Sequence, residues 1–302
     1  MHSMTQALRL ATRSLFRTPR FTVLAVATLA LGIGITTAFF SVFDAVLLRP
    51  LPYGDADRLV TVLESGRSPT SPANFLDLRD RSETLVDLTA ASPWSPIWTI
   101  EGQPEQIPGL TATAGLFDLL EAEALHGRRF SARAGDDPQH VVVLSYGLWQ
   151  RRFGGDTAML GRAFDLDGTP HTIVGIMPDG FAFPPFWATG AEFWAPHDRG
   201  HEMWGRRGAR FLRVFGRLAP AAELATAQAE IDLLADELAE AHPDDNDALA
   251  YTVEPLQEPV VDGVRPALWT IFAAVGVVAS IACANAASLW WTRATVRRRD
   301  LG

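Results

Sequence analysis

The chain has 302 residues, 26 of them basic and 35 acidic, for a net charge of −9, and every basic residue is an arginine. Without a lysine there is no P-loop, whose grip on phosphate needs one, and no Schiff-base chemistry. The charge is unevenly placed: 18 arginines face 34 acids between residues 44 and 265, a balance of −16 that argues against a nucleic-acid partner.

Residues 1–20 read as a cytoplasmic amphipathic helix, with Leu8, Ala11 and Leu15 on one face and Arg9, Arg13 and Arg17 on another. Two charge-free apolar runs follow, 21–43 and 267–292. Each is long enough to cross a bilayer, because about 20 apolar residues at about 1.5 Å rise cover a hydrocarbon core of about 30 Å. With their exits they define transmembrane helices over 21–47 and 266–292. The first run exceeds the roughly 7–15 residues of a signal-peptide core, and no small-residue cleavage site follows it.

Arg9, Arg13, Arg17 and Arg20 precede the first run, and Arg293, Arg297, Arg298 and Arg299 follow the second. The positive-inside bias keeps both clusters cytoplasmic and puts residues 48–265 outside the cytoplasm. Gly32 and Gly34 lie mid-span, and Ala30 with Gly34 makes a small-residue pair suited to close approach of another helix. Asn285 is a polar residue inside the second run and seeks a hydrogen bond on a neighbouring helix. Cys283, the lone cysteine, reads as a packing residue of the same run, so no disulfide staples the middle.

The middle mixes short strands with helices. Residues 59–63 read as a strand and 71–88 as a helix capped by Ser71, with Pro72 in its first turn and a stripe of Phe75, Leu78, Leu85 and Leu88. Residues 94–113 hold short strands between turns, 115–125 a short helix, 141–144 a strand, and 146–153 a helical turn ended by Gly154 and Gly155. Residues 164–176 form a hairpin turning at Gly168 and Thr169. Residues 178–210, rich in Pro, Gly, Trp and Phe, read as a long irregular loop. Residues 211–218 return to strand. The 220–241 helix carries Leu224, Ala227, Ile231, Leu234 and Leu238 on one face, Pro243 ends it, and 251–256 is a last strand. The fold class is therefore an α+β extracytoplasmic domain between two transmembrane α-helices.

Nothing in the chain assembles a catalytic set, and no cofactor is expected. Ser145 lacks the Gly-x-Ser-x-Gly elbow, and the acid pairs Asp136–Asp137 and Asp244–Asp245 read as turn charges. His197 and His201 stand four apart beside Asp198 and Glu202, but Pro196 and Gly200 oppose a helix and no third ligand is in view, so no metal is expected. The aromatic-rich segment containing Phe181, Phe183, Phe186, Trp187, Phe193, Trp194 and Trp204 suits a small core under a long loop better than a ligand surface.

Three stretches carry a family resemblance. FTVLAVATLALGIGITTAFFSVFDAVLLRPLPY (21–53) resembles the first membrane helix and exit of MacB/FtsX-like permeases, particularly the duplicated orphan permeases. VVVLSYGLWQRRFGGDTAMLGRAFDLDGTPHTIVGIMPDGFAFP (141–184) is similar to the MacB-like periplasmic core domain. VRPALWTIFAAVGVVASIACANAASLWWTRATVRRRDLG (264–302) resembles the second membrane helix and the start of the FtsX-like permease region.

The resemblance implies a core domain over 48–265, built from a porter-like part and a smaller inserted part, and a coupling segment that begins at 293–302. It implies a separate ATP-binding subunit, a dimer of this chain in membrane lipid, a periplasmic partner protein, and ATP-driven motion passed to the external domain for efflux or export. The family has at least four spans and two are visible here, so the sequence reads as the N-terminal part of a permease. The same layout of span, external domain and span also suits a two-span sensor or receptor with an extracytoplasmic ligand-binding domain. The Gly-containing first span and the resemblance favour the permease.

Overall fold

The computed structural model describes residues 19–44, 51–65, 68–100, 103–131, 140–183, 190–198, 202–262 and 265–299. The helix expected before residue 19 lies outside these, as do Asp136, Asp137, Phe186, Trp187 and His201. The chain divides into two units, Met1–Arg49 with Val261–Gly302, and Pro50–Val260.

Helix α1 covers Pro19–Phe43. Strand β1 (Leu59–Glu64), helix α2 (Pro72–Arg81) and strand β2 (Leu85–Trp94) then begin the second unit. Strands β3 (Ile97–Ile100), β4 (Gln103–Gln106) and β5 (Gly109–Ala112), helix α3 (Leu116–Leu119), and strands β6 (His126–Gly127) and β7 (Val141–Leu144) come next. Helix α4 (Tyr146–Phe153) and strands β8 (Ala163–Leu166), β9 (Thr169–Ile176) and β10 (Phe193–Pro196) follow. Strand β11 (Arg213–Leu218), helices α5 (Leu224–Ala241) and α6 (Pro243–Asn246), strand β12 (Tyr251–Pro255) and helix α7 (Gln257–Asp262) complete the middle of the chain, and α8 (Arg265–Arg299) ends it.

The strands form one sheet in the order β12-β1-β11-β2-β5-β10-β7-β9-β8-β3-β4, with β6 on β9. The first four strands are all antiparallel to their neighbours. With α2 and α5 they make a βαββαβ unit of the ferredoxin-like type, cut open between its second and third strands. Everything from β3 to β10 is inserted there. The insertion extends the same sheet, because β5 continues the ladder from β2 through Ala91↔Ala112.

Every residue of β1 is buried, as a strand covered on both faces must be. Val60 and Val62 join Phe75 and Leu78 of α2 and Ala227, Ile231, Leu234 and Leu238 of α5 in one core. Leu59 joins Phe215, Leu110, Phe117 and Trp194 in a second, central core. The insertion has a third, around Trp98, Leu148, Ile173 and Phe193. At the sheet's outer edge the Gln228 amide donates to the Tyr251 carbonyl (2.8 Å) and accepts from the Val253 N–H (2.8 Å), occupying groups that an added strand would use.

Most expected elements are present, and four are revised. The helix expected over 71–88 begins as read, with the Ser71 hydroxyl accepting from the Asn74 N–H, but it stops at Arg81. Residues 85–94 are strand β2. The reason is tertiary: the Glu230 carboxylate of α5 accepts from Ser82 Oγ (2.7 Å), Glu83 N (2.7 Å), Thr84 N (3.0 Å) and the Thr84 hydroxyl. That nest draws the chain out of the helix. All four stripe residues still reach the same core, which is why the helical period looked complete.

The hairpin turns at Asp167 and Gly168, not Gly168 and Thr169; both sit at positive φ (51° and 79°), as a type I′ turn requires. The helix expected over 115–125 is a single turn, Leu116–Leu119. The long loop contains β10, which pairs with β5 and β7 near the middle of the sheet. A four-residue strand holding a proline, with partners distant in sequence, carries no local period to read.

Burial would raise the Glu230 pKa, but the hydrogen bonds from Thr84, Glu83 and Ser82 outweigh it and hold the carboxyl below its usual range. Because the folded value is the lower one, the stabilisation is complete above the unfolded pKa of about 4.3 and fades as pH falls through the folded value. Glu230→Gln is expected to cost about 1–2 kcal/mol near neutral pH in denaturant unfolding. The difference from wild type should narrow below about pH 4.

Candidate functional site

Two places among the described residues bear on function. The first is the helix pair of the first unit. Helix α1 approaches α8 at Gly32, where a Cβ would stand 3.3 Å from the Ala282 Cβ. Aromatic contacts extend the pairing: Phe39 and Phe43 lie 6.2 Å and 5.4 Å from Phe272, and Phe43 is edge-on to Trp269 at 5.6 Å. A small apolar cavity of about 200 Å³ lies between the helices, lined by Gly32, Ile33, Thr36, Thr37, Ala279, Ala282 and Cys283.

Gly34 meets nothing within 4 Å, and Asn285 is exposed on α8. Of these expected packing residues, Gly32 alone is at the crossing. Arg293, Arg297, Arg298 and Arg299 lie in the last turns of α8. One stretch among the described residues is long and apolar enough to cross a membrane, Arg265–Asn285, with a mean hydropathy of 2.2. Helix α1 holds a shorter apolar stretch, Val26–Ser41.

The second place is where the chain joins the β-domain. Residues 51–58 come first in the second unit and tie directly into its centre. Leu51 and Tyr53 pack on the central core. The Tyr53 ring stands edge-on to Phe183 at 5.8 Å, its hydroxyl donates to the Ala182 carbonyl, and burial pushes its pKa well above the usual phenol value. Arg58 donates to the Leu218 carbonyl.

Arg217 of β11 is the hub. It is 6 % exposed, and its guanidinium donates to the Leu119 carbonyl (2.6 Å), the Gly54 carbonyl (3.0 Å) and Glu121 Oε1 (3.2 Å). One side chain thus joins the lead-in segment, a strand of the ferredoxin-like unit and helix α3 of the insertion. A Cβ at Gly54 would meet the carboxylate end of the Glu121 side chain, which would have to swing aside. The chain ahead of α8 returns to the same region, with the Leu256 N–H donating to the Leu59 carbonyl (2.9 Å) and Leu256 buried in the central core.

The other sequence candidates have structural roles. The Ser145 hydroxyl accepts from the Leu148 N–H (3.1 Å) and caps α4, while Gly154 ends that helix in the left-handed conformation. His197 is half-buried beside Trp204, with ring centroids 5.2 Å apart, and the burial of its ring pushes its pKa down to about 4. Among the described residues, no three His, Cys, Asp or Glu side chains converge to hold a metal ion. Phe183, Phe193 and Trp194 are core residues, Trp194 fully so. Arg217 was passed over in the sequence because an arginine in FLRVFGRL has no local mark of burial; only its partners, around 96 to 163 residues away, reveal it.

The family profile of the MacB-like periplasmic core domain matches residues 22–234. The chain belongs to that family. Two solved structures share the fold. One is a domain of a permease protein from Porphyromonas gingivalis, 19% identical with a TM-score of 0.53, covering 67% of this chain and 92% of that one. The other is the periplasmic region of MacB from Actinobacillus actinomycetemcomitans, 14% identical with a TM-score of 0.52, covering 74% and 97%. No curated protein sequence matches the chain. The β-domain described above is accordingly the extracytoplasmic core domain of a MacB-like ABC transporter permease. Its ferredoxin-like unit is cut by an insertion, but the inserted part, β3 to β10 over 97–196, is the larger of the two rather than the smaller one that the resemblance implies.

The two sites make separable predictions. Gly32→Leu is expected to lower the thermal stability of the full chain in detergent micelles and Gly34→Leu to leave it within error, since only Gly32 faces α8. Arg217→Met is expected to cost about 1–3 kcal/mol for each buried carbonyl it leaves unsatisfied, measured by denaturant unfolding. Arg217→Lys should rescue only in part, because one ammonium nitrogen lacks the planar fork whose two nitrogens reach the Gly54 and Leu119 carbonyls separately.

Proposed function

We propose that this chain is a membrane permease subunit that carries motion from a separate ATPase to its extracytoplasmic domain for efflux or export, and is not itself an enzyme. In this reading both apolar helices span the inner membrane, over 21–47 and 266–292, with both termini cytoplasmic and the core domain outside. The arginines from Arg293 to Arg299 begin the segment on which the ATP-binding subunit docks. A second copy of the chain and a periplasmic protein complete the assembly.

The observation that carries the proposal is the Arg217 clamp. Transmission requires that the chain leaving a moving helix be fixed to what it moves, and residues 54–55 are held by a buried charge rather than by a loose loop. A sensor with an external ligand pocket would not need the lead-in segment bonded to both parts of the domain.

The test is site-directed labelling in a Cys283→Ser background with single cysteines at Ser3 or Ser95, using a membrane-impermeant maleimide on spheroplasts. Ser95 is expected to label from outside and Ser3 only after lysis. Labelling of Ser3 in intact spheroplasts would overturn the topology. Membranes of the native host should also yield ATP-hydrolysing activity bound to the wild-type chain. That activity should be lost when Arg297, Arg298 and Arg299 become Glu; isolates free of ATP hydrolysis would count against the coupling role.

A further inference from the structure

The insertion holds a second feature that transmission does not use. Residue 140 immediately precedes β7, and residue 171 lies on the neighbouring strand β9, which pairs in parallel with β7 through Val141↔Thr172. The His140 carbonyl accepts from the Thr172 N–H at 2.8 Å, so the ladder itself fixes the two histidines side by side. Their ring centroids are 5.0 Å apart and the rings are perpendicular, at 88°.

Three further details bear on what this pair can bind. Nδ1 of His171 lies 2.9 Å from the Thr169 carbonyl. A carbonyl can only accept, so Nδ1 carries the proton and the neutral ring keeps its lone pair on Nε2. Donation of one ring N–H to a backbone carbonyl, leaving the other nitrogen free, is the usual way a protein orients a histidine ligand. Second, His140 is held at φ 72°, a left-handed backbone that a side chain with a Cβ rarely adopts, and its ring is exposed. Third, His171 is itself buried, flanked by Trp94 at 5.4 Å, and burial lowers its pKa, while Asp165 and Asp167 place negative charge nearby.

We propose that His140 and His171 form a two-histidine site for a divalent transition-metal ion, with solvent filling the remaining coordination positions. Imidazole nitrogen suits Cu²⁺, Ni²⁺ and Zn²⁺, and among these Cu²⁺ binds a given nitrogen site most tightly. Two protein ligands make an open, exchangeable site rather than a structural one, since structural sites are closed by four ligands. The acidic balance of the domain favours a cation there on the same grounds that it disfavours a phosphate backbone.

The experiment is a Cu²⁺ titration of the full chain in detergent, without a polyhistidine tag and with His2→Ala to remove chelation by the amino terminus. Tryptophan fluorescence and electron paramagnetic resonance are the readouts. One saturable Cu²⁺ per chain is expected, with nitrogen hyperfine structure from two imidazoles. His140→Ala, an exposed change that leaves the fold intact, should weaken binding at least as much as the roughly 10–100-fold that losing an outer-shell partner costs. Trp94→Phe should reduce the quenching without changing the affinity, because its ring is the one beside His171. His126→Ala, elsewhere on the insertion, should change nothing. The proposal is overturned if no saturable site is found, or if His140→Ala binds Cu²⁺ as tightly as its parent.

Discussion

A guanidinium in a protein interior keeps its charge, so everything around it must be arranged to satisfy it. Arg217, on a strand of the ferredoxin-like unit, meets that demand with the Gly54 and Asp55 carbonyls of the lead-in segment and the Leu119 carbonyl and Glu121 carboxylate of the insertion. The demand runs both ways. The Gly54 carbonyl lies at the start of the turn into residues 56–58 and the Leu119 carbonyl at the end of a short helix, where no regular ladder serves them, and the arginine satisfies both. The arrangement of the lead-in segment, the cut ferredoxin-like unit and the insertion depends on that one side chain more than on any other polar group described.

Cutting a βαββαβ unit between its second and third strands is tolerable because those strands are neighbours in the sheet. Their outer ends open where β2 runs on past β11 to pair with β5. The insertion therefore adds strands to a ladder that would otherwise end in an open edge. It also adds a hydrophobic cluster of its own, while the central core shares residues from both parts. Residues 51–58 meet this shared core directly, since Tyr53 contacts Phe183 of the insertion and Phe183 in turn packs on Phe215 of β11 at 4.9 Å.

The two ends of the sheet are finished differently. At β12 a glutamine from α5 occupies the outward backbone groups. At β4 the edge strand is short, exposed and carries Pro104. Both devices discourage pairing with another chain's strand, which matters for a domain whose own ladder is long. Polar side chains placed by tertiary contacts recur in this way throughout the domain: Glu230 ends α2, Gln228 closes an edge, and Arg217 joins the parts.

Elements whose cause is local were legible in the amino-acid sequence. Ser71 with Pro72, the Gly154 stop, the 3.6-residue stripe of α5 and the β-branched run of β1 each carry their own signal within a few residues. So were the two apolar runs with arginine on their outer sides, and the absence of lysine that excludes a P-loop. The tertiary structure alone decided that 85–94 is a strand, that β10 lies inside the sheet, that Gly32 rather than Gly34 meets α8, and that Arg217 and the His140–His171 pair are brought to their partners. Each of these depends on groups far away in the chain, and a pattern read over ten or fifteen residues holds no trace of what a fold will bring against it.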